Sequence, residues 1–112
     1  MDLLIEDGRR CGKTFRRVCR AAIAISEGYN VQYVGSTRPH MGHARVILKQ
    51  VLYAIDVKVV ANDDRYWEFY DPLTNARIGS IRFYPSYASY RDSFAHGDLR
   101  GIDRTTIAEV YD

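Results

Sequence analysis

The chain is poor in the residues that staple, break or anchor a fold. Two cysteines and three prolines occur in 112 residues, too few for the disulfide framework of a small secreted domain. Cys11 and Cys19 stand apart from any second cysteine pair or histidine cluster, so both read as free thiols and not as zinc ligands. No apolar run approaches the roughly 18 residues of a membrane-spanning helix. Asp2, Glu6 and Asp7 precede the first arginine, which is not the charge order of a secretory leader. A cytoplasmic protein with no membrane contact is therefore expected. The net charge is only +2, with a pI near 8.6. That balance tolerates a polyanionic partner without requiring one.

What is present is the composition of one globular domain, 46% hydrophobic and 27% charged. Asp2-Leu3-Leu4-Ile5-Glu6 is a short apolar run ending at Asp7-Gly8, which suits a buried strand and a turn. From Lys13 to Glu27, Phe15, Val18, Cys19, Ala22 and Ile25 recur at three- and four-residue steps while Arg16, Arg17 and Arg20 fall elsewhere. This spacing predicts an amphipathic helix closed by Gly28. Val31 to Val34 follows as a second strand, Gly35 to Gly42 as a loop containing Pro39, and His43 to Ile55 as a second helix turning Val46, Ile47, Val51 and Leu52 to the core. Strand, helix and strand in alternation imply a right-handed crossover and a parallel sheet.

The texture then changes. Val57 to Val60, Tyr66 to Tyr70 and Ile78 to Phe83 are β-like, the last two joined by the turn sequence Asp71-Pro72-Leu73-Thr74-Asn75. They predict an antiparallel insertion beside the parallel strands. Pro85 to Asp103 reads as a long polar and aromatic loop, and Thr105 to Val110 as a last strand.

The chemistry-bearing stretch is Gly8-Arg9-Arg10-Cys11-Gly12-Lys13-Thr14, between the first strand and the first helix. Phosphate cradles need that placement, because backbone N–H groups of a glycine turn and a helix N-terminus converge there on phosphate oxygens. Gly12 would let the backbone approach, Lys13 would reach the β- and γ-phosphates, and the Thr14 hydroxyl would be a magnesium ligand. Arg9 and Arg10 would add charge near the γ-phosphate. The first glycine of the usual motif is displaced, since Asp7 stands five residues before Gly12 and Gly8 comes one place late.

Taken in order, these blocks resemble the N-terminal ATPase core of the large terminase subunit, the DNA-packaging motor of tailed bacteriophages. Residues 8 to 14 are similar to that family's variant cradle, Val31 to Thr37 to its second strand and the loop after it, and residues 76 to 110 to a stretch leading into its acidic strand. The resemblance implies a partial P-loop NTPase fold, a three-layer α/β core with a mostly parallel sheet and an antiparallel insertion. It implies ATP and magnesium as cofactors, double-stranded DNA as mechanical partner, and Arg38 as a contact to the DNA backbone. The later strands, the coupling motif and the nuclease domain of a terminase have no counterpart in these residues. Completion by other phage packaging subunits or by self-association is the corresponding expectation.

Family members end the last of these strands in Asp-Glu. Here it reads Thr105-Thr106-Ile107-Ala108-Glu109-Val110-Tyr111-Asp112. If Glu109 polarises the attacking water, Ala108 replaces the magnesium-side acid; if Asp112 is that acid, nothing remains to act on water. Glu109 is the preferred candidate, and slow hydrolysis the expectation. Two alternatives stay open: a non-enzymatic DNA- or motor-binding module that keeps a degenerate P-loop fold as regulator or decoy, and a Glu109 that simply faces solvent on an edge strand. His40, His43 and His96 lack the company a metal site needs. Tyr84, Tyr87 and Tyr90, with Arg82 and Arg91 among them, suit base stacking or, better, a helical turn packing its aromatics.

Overall fold

In the computed structural model, the described residues are 11–35, 38–54, 57–61, 65–97 and 99–111. The expected strand over Asp2 to Glu6 lies outside them. Helix α1 spans Cys11–Ser26 and presents Val18, Ala21, Ala22 and Ile25 to the core. Each large aliphatic side chain so buried stabilises the fold by roughly 1.5–3 kcal/mol. The helix ends in a left-handed glycine cap. Gly28 has φ 97°, its N–H donates to the Ile25 carbonyl (3.0 Å), and the Tyr29 N–H donates to the Ala24 carbonyl (3.0 Å). Those two bonds satisfy carbonyls the helix leaves open and turn the chain directly into strand β1, Asn30–Val34.

Helix α2 spans Arg38–Ala54, starting five residues before the expected His43. Pro39 lies in its first turn, where a missing N–H costs nothing, so the residue that reads as loop is helix-compatible. The buried stripe is Met41, Ala44, Ile47, Leu48 and Leu52; Val46, expected inside, is 55% exposed. Strands β2 (Lys58–Ala61), β3 (Tyr66–Tyr70) and β4 (Arg77–Tyr84) follow. The β3–β4 turn is held by the Asp71 carboxylate, which accepts from the Leu73 N–H (2.8 Å) and the Thr74 N–H (3.2 Å), and Asn75 supplies a left-handed residue at φ 59°.

Part of the expected long loop after Tyr84 is helix α3, Tyr87–Ala95, whose N-cap Ser86 accepts from the Ser89 N–H at 3.2 Å. Tyr90 and Phe94 sit on its inner side; of the three tyrosines spaced at three, Tyr84 ends β4 and Tyr87 is exposed, so Tyr90 alone packs inward from this helix. A short 3-10 turn, Arg104–Thr106, precedes β5, Ile107–Tyr111, so Thr105 belongs to the turn and not to the strand.

The strands form one mixed sheet in the order β2-β3-β4-β1-β5. β1 is parallel to both β4 and β5, while β2–β3 and β3–β4 are antiparallel. The antiparallel hairpins thus flank parallel strands as expected, but among the described residues parallel and antiparallel pairings are balanced and the sheet is not mostly parallel. Val31 and Tyr33 of β1, Ile81 and Phe83 of β4 and Val110 of β5 pack with α1 and α2 on one face. On the other face Val34 and Tyr84 meet Tyr90 of α3 and Leu99. Alternation along each strand produces the two faces.

Candidate functional site

The expected cradle is described only in part. Gly8, Arg9 and Arg10 lie outside the described residues; Cys11 and Gly12 are already helical in backbone, and nothing is described of their side chains. Lys13 is exposed and Thr14 half-buried in the first turn of α1. The first four N–H groups of a helix have no internal acceptor. No acidic residue stands in the first turn of α1, so no carboxylate there offsets the positive end of the helix dipole.

The direction of α1 fixes where that end lies. Its carboxyl end sits beside the start of β4, where Gly79 lies against the Ile25 carbonyl. From there the helix runs back over β1, β4 and β5 toward their carboxyl ends. Sixteen residues of helix extend about 24 Å, against about 17 Å for the five residues of β1. The amino end of α1 therefore reaches past the carboxyl edge of the parallel strands.

The amino end of α2 lies at the same edge. It begins a few residues after β1, again with no acid in its first turn. At the edge the Gly35 N–H donates to the Tyr84 carbonyl at 3.0 Å, tying the end of β1 to the end of β4. The chain leaves β1 for α2 on one face and leaves β4 for α3 on the other. Neighbouring parallel strands whose connections diverge in this way open a crevice at their carboxyl ends, the usual place for a ligand in an α/β sheet. The backbone of Arg38 is the first residue of α2 at this edge; its side chain is not described.

Glu109 occupies a different environment. On β5 it stands in register with Gln32, on the face away from α1, while its neighbours Ala108 and Val110 pack into the α1 side. Its carboxylate accepts a hydrogen bond from the Tyr90 hydroxyl, and Tyr111 is a second hydrogen-bonding neighbour. Burial, followed by that bond and the carboxylate's charge, pushes the Tyr90 phenol well above the usual tyrosine range. Burial and the same carboxylate raise Tyr111 as well. The acid is thus exposed but engaged, and the edge-strand picture of a carboxylate facing only water is too simple. Asp112 lies outside the described residues.

The structure accordingly does not bring Glu109 to the face that carries Lys13 and Thr14. Sequence reading finds Glu109 but not its partner, since Tyr90 lies nineteen positions away on an element that reads as loop. Among the described residues no group of three histidine, cysteine or carboxylate side chains is placed to hold a metal. His43 and His96 are exposed on separate elements. Cys19 is a free thiol whose pKa is raised by burial. No described helix is long and apolar enough to cross a membrane.

Comparison with protein-family descriptions, with curated proteins and with solved structures returns no match. The reading of this site therefore rests on its residues and their geometry.

Proposed function

We propose that the chain is a nucleotide-binding protein resembling the ATPase core of a phage DNA-packaging motor, binding ATP with magnesium and hydrolysing it slowly. One observation carries this reading: α1, with Lys13 and Thr14 but no acidic residue in its first turn, opens at the carboxyl edge of β1, β4 and β5. Amides of a helix's first turn, a lysine and a hydroxyl at such an edge are the chemistry a polyphosphate requires.

In this reading Arg9, Arg10 and the amides of Gly8, Cys11 and Gly12 complete the cradle, Lys13 neutralises terminal phosphate oxygens, and the Thr14 hydroxyl would hold magnesium. Bound ATP with its cation supplies the reactive phosphoryl group. Hydrolysis is slow because Glu109, the acid that would polarise water, is committed to Tyr90 on the opposite face. Double-stranded DNA is the mechanical partner, with Arg38 a contact to its backbone, and further packaging subunits or a second copy of this chain complete the assembly.

A second reading is a non-enzymatic binding module that retains the fold without turnover. The position of Glu109 favours it. Titration with a fluorescent ATP analogue, on the wild type and on Lys13→Ala, tests the first reading: binding is expected in the wild type and at least tenfold weaker in the variant. Equal binding by both, or by neither, sinks it. Phosphate release by the wild type then separates slow hydrolysis from none, and Glu109→Gln, on the face away from α1, should leave that rate unchanged.

A further inference from the structure

The carboxylate of Glu109 faces a second feature of the molecule. Between α3 and the segment from Arg104 to Glu109 lies an open cleft of about 560 Å³, lined by Tyr87, Tyr90, Arg91, Phe94, Arg104 and Glu109 among others. Small-molecule sites commonly enclose roughly 300–1,000 Å³, and a mononucleotide falls within that range. The cleft is on the sheet face opposite α1, so it is separate from the expected cradle.

Its walls combine three chemistries. The first is aromatic: Tyr87 is 56% exposed and backed by the Tyr90 and Tyr111 rings, each centroid 6.3 Å away, while Phe94 packs at 5.1 Å from Tyr90. The second is cationic, with Arg91 above Tyr87 (5.9 Å) and Arg104 above Phe94 (4.6 Å). No salt bridge holds either guanidinium among the described residues. The third is the single carboxylate of Glu109. Tyr90, itself 2% exposed, grips it from beneath, so its direction is set before any ligand arrives.

Aromatic rings beside arginines suit a base and its phosphate. The carboxylate narrows the choice. It only accepts hydrogen bonds, and with Tyr90 on Oε2 and the Tyr111 hydroxyl beside it, about two of its roughly four acceptor positions stay open to a ligand. Guanine offers two adjacent donors, N1–H and the N2 amino group, to such a pair of acceptors. Adenine and cytosine offer an amino group beside a ring-nitrogen acceptor, which a carboxylate repels; thymine and uracil flank their one N–H with carbonyls.

From these residues we infer that the cleft is a guanine-nucleotide site: the base stacks on Tyr87, its N1–H and N2 amino group donate to Glu109, and Arg91 and Arg104 take the phosphate. The base belongs either to a free guanine nucleotide or to an unpaired guanine in a single strand, since both present the same edge. The site does not depend on the ATP-binding reading.

The test uses the full chain carrying Lys13→Ala, without magnesium, so that the amino end of α1 does not contribute. Calorimetric titrations compare GMP, IMP, AMP and inorganic phosphate, and seven-base single strands with one central guanine or adenine in a thymine background. GMP or the guanine strand is expected to bind at least tenfold tighter than its adenine counterpart, with IMP between GMP and AMP because it lacks the N2 amino group. Tight binding of GMP identifies a free nucleotide; tight binding of the strand alone identifies single-stranded nucleic acid. Glu109→Gln should erase the preference for guanine, Tyr87→Ser should weaken every base-bearing ligand, and Arg91→Ala with Arg104→Ala should weaken guanine and adenine ligands alike. Circular dichroism of each variant confirms that it folds, and Tyr87→Ser, at an exposed position, keeps the test open if another variant does not. Equal binding of guanine and adenine ligands, guanine binding unchanged in Glu109→Gln and Tyr87→Ser, or no binding of any guanine ligand would overturn the inference.

Discussion

The Tyr90 hydroxyl donates to the Glu109 carboxylate, joining the middle of α3 to the middle of β5. The bond crosses from a helix to the strand at the end of the sheet among the described residues, and it sets the direction of the one acidic group in the cleft. Hydrogen bonds to charged groups contribute roughly 1.5–3 kcal/mol, and exposure of the carboxylate places this one at the low end. Tyr90→Phe should therefore lower stability by about 1–2 kcal/mol in urea unfolding, with secondary structure retained.

The same bond has an alkaline signature. The folded-state pKa of Tyr90 is raised above the ordinary 10.0, first by burial and then by Glu109. A proton held more tightly in the folded state stabilises the fold fully below the unfolded-state value, and that contribution is lost as pH climbs from there toward the folded-state value. Stability should thus decline above about pH 10. Ultraviolet titration of tyrosinate should show a late step in which buried tyrosines ionise only as the chain unfolds, and Tyr90→Phe should make that step smaller by one tyrosine.

Gly79 of β4 lies close against the end of α1 and the turn after it. A Cβ there would stand 2.5 Å from the Tyr29 carbonyl oxygen and 3.0 Å from that of Ile25, both backbone atoms. Neither can swing aside, so Gly79→Ala must push the helix end off the sheet. A cost of roughly 1–3 kcal/mol is expected from overpacking, read as a lower Tm. An unchanged Tm would show that the helix end is not held against the sheet.

Asn30 ties three segments together. Its Oδ1 accepts from Ser80 Oγ (2.8 Å) and Arg77 Nη2 (3.1 Å), and its Nδ2 donates to Thr106 Oγ1 (3.2 Å). Arg77 also meets Glu68 of β3 at 3.1 Å. Asn30→Ala leaves the nearly buried Ser80 hydroxyl without this acceptor and should cost about 2–3 kcal/mol. Asn30→Asp should recover part of the loss, since its carboxylate still accepts from both Ser80 and Arg77.

Cys19 offers a chemical check on α1. It is half-buried, and burial raises its thiol pKa. The thiolate is the reactive species, so labelling of Cys19 by a disulfide reagent at neutral pH should be slower in the folded chain than after denaturation. Equal rates would mean that α1 does not pack as described.

Periodicity carried most of the fold. The three- and four-residue steps of Val18, Ala22 and Ile25 mark α1, and Gly28 marks its end, because both signals are local. α3 was hidden because Pro85, Ser86 and a run of tyrosines look like a polar loop until Ser86 caps the Ser89 N–H. The start of α2 is masked for the same kind of reason: Pro39 and Gly42 are loop residues by statistics and tolerated members of this helix in context. Lys13 and Thr14 were legible as site candidates because a phosphate cradle is a contiguous motif. The cleft is not, since Tyr87, Arg104 and Glu109 meet only when α3 folds back over β1 and β4 and lies beside β5.

The sequence by itself determined that strands and helices alternate, where α1 stops, and that a lysine and a threonine open that helix. Only the tertiary structure decided which way Glu109 faces and what holds it. The pleat sends successive side chains to opposite sides, so Ala108 and Glu109 necessarily part company. Which side belongs to α1 and which to α3 depends on how the crossovers pack, and no local pattern within Ile107–Tyr111 encodes that choice.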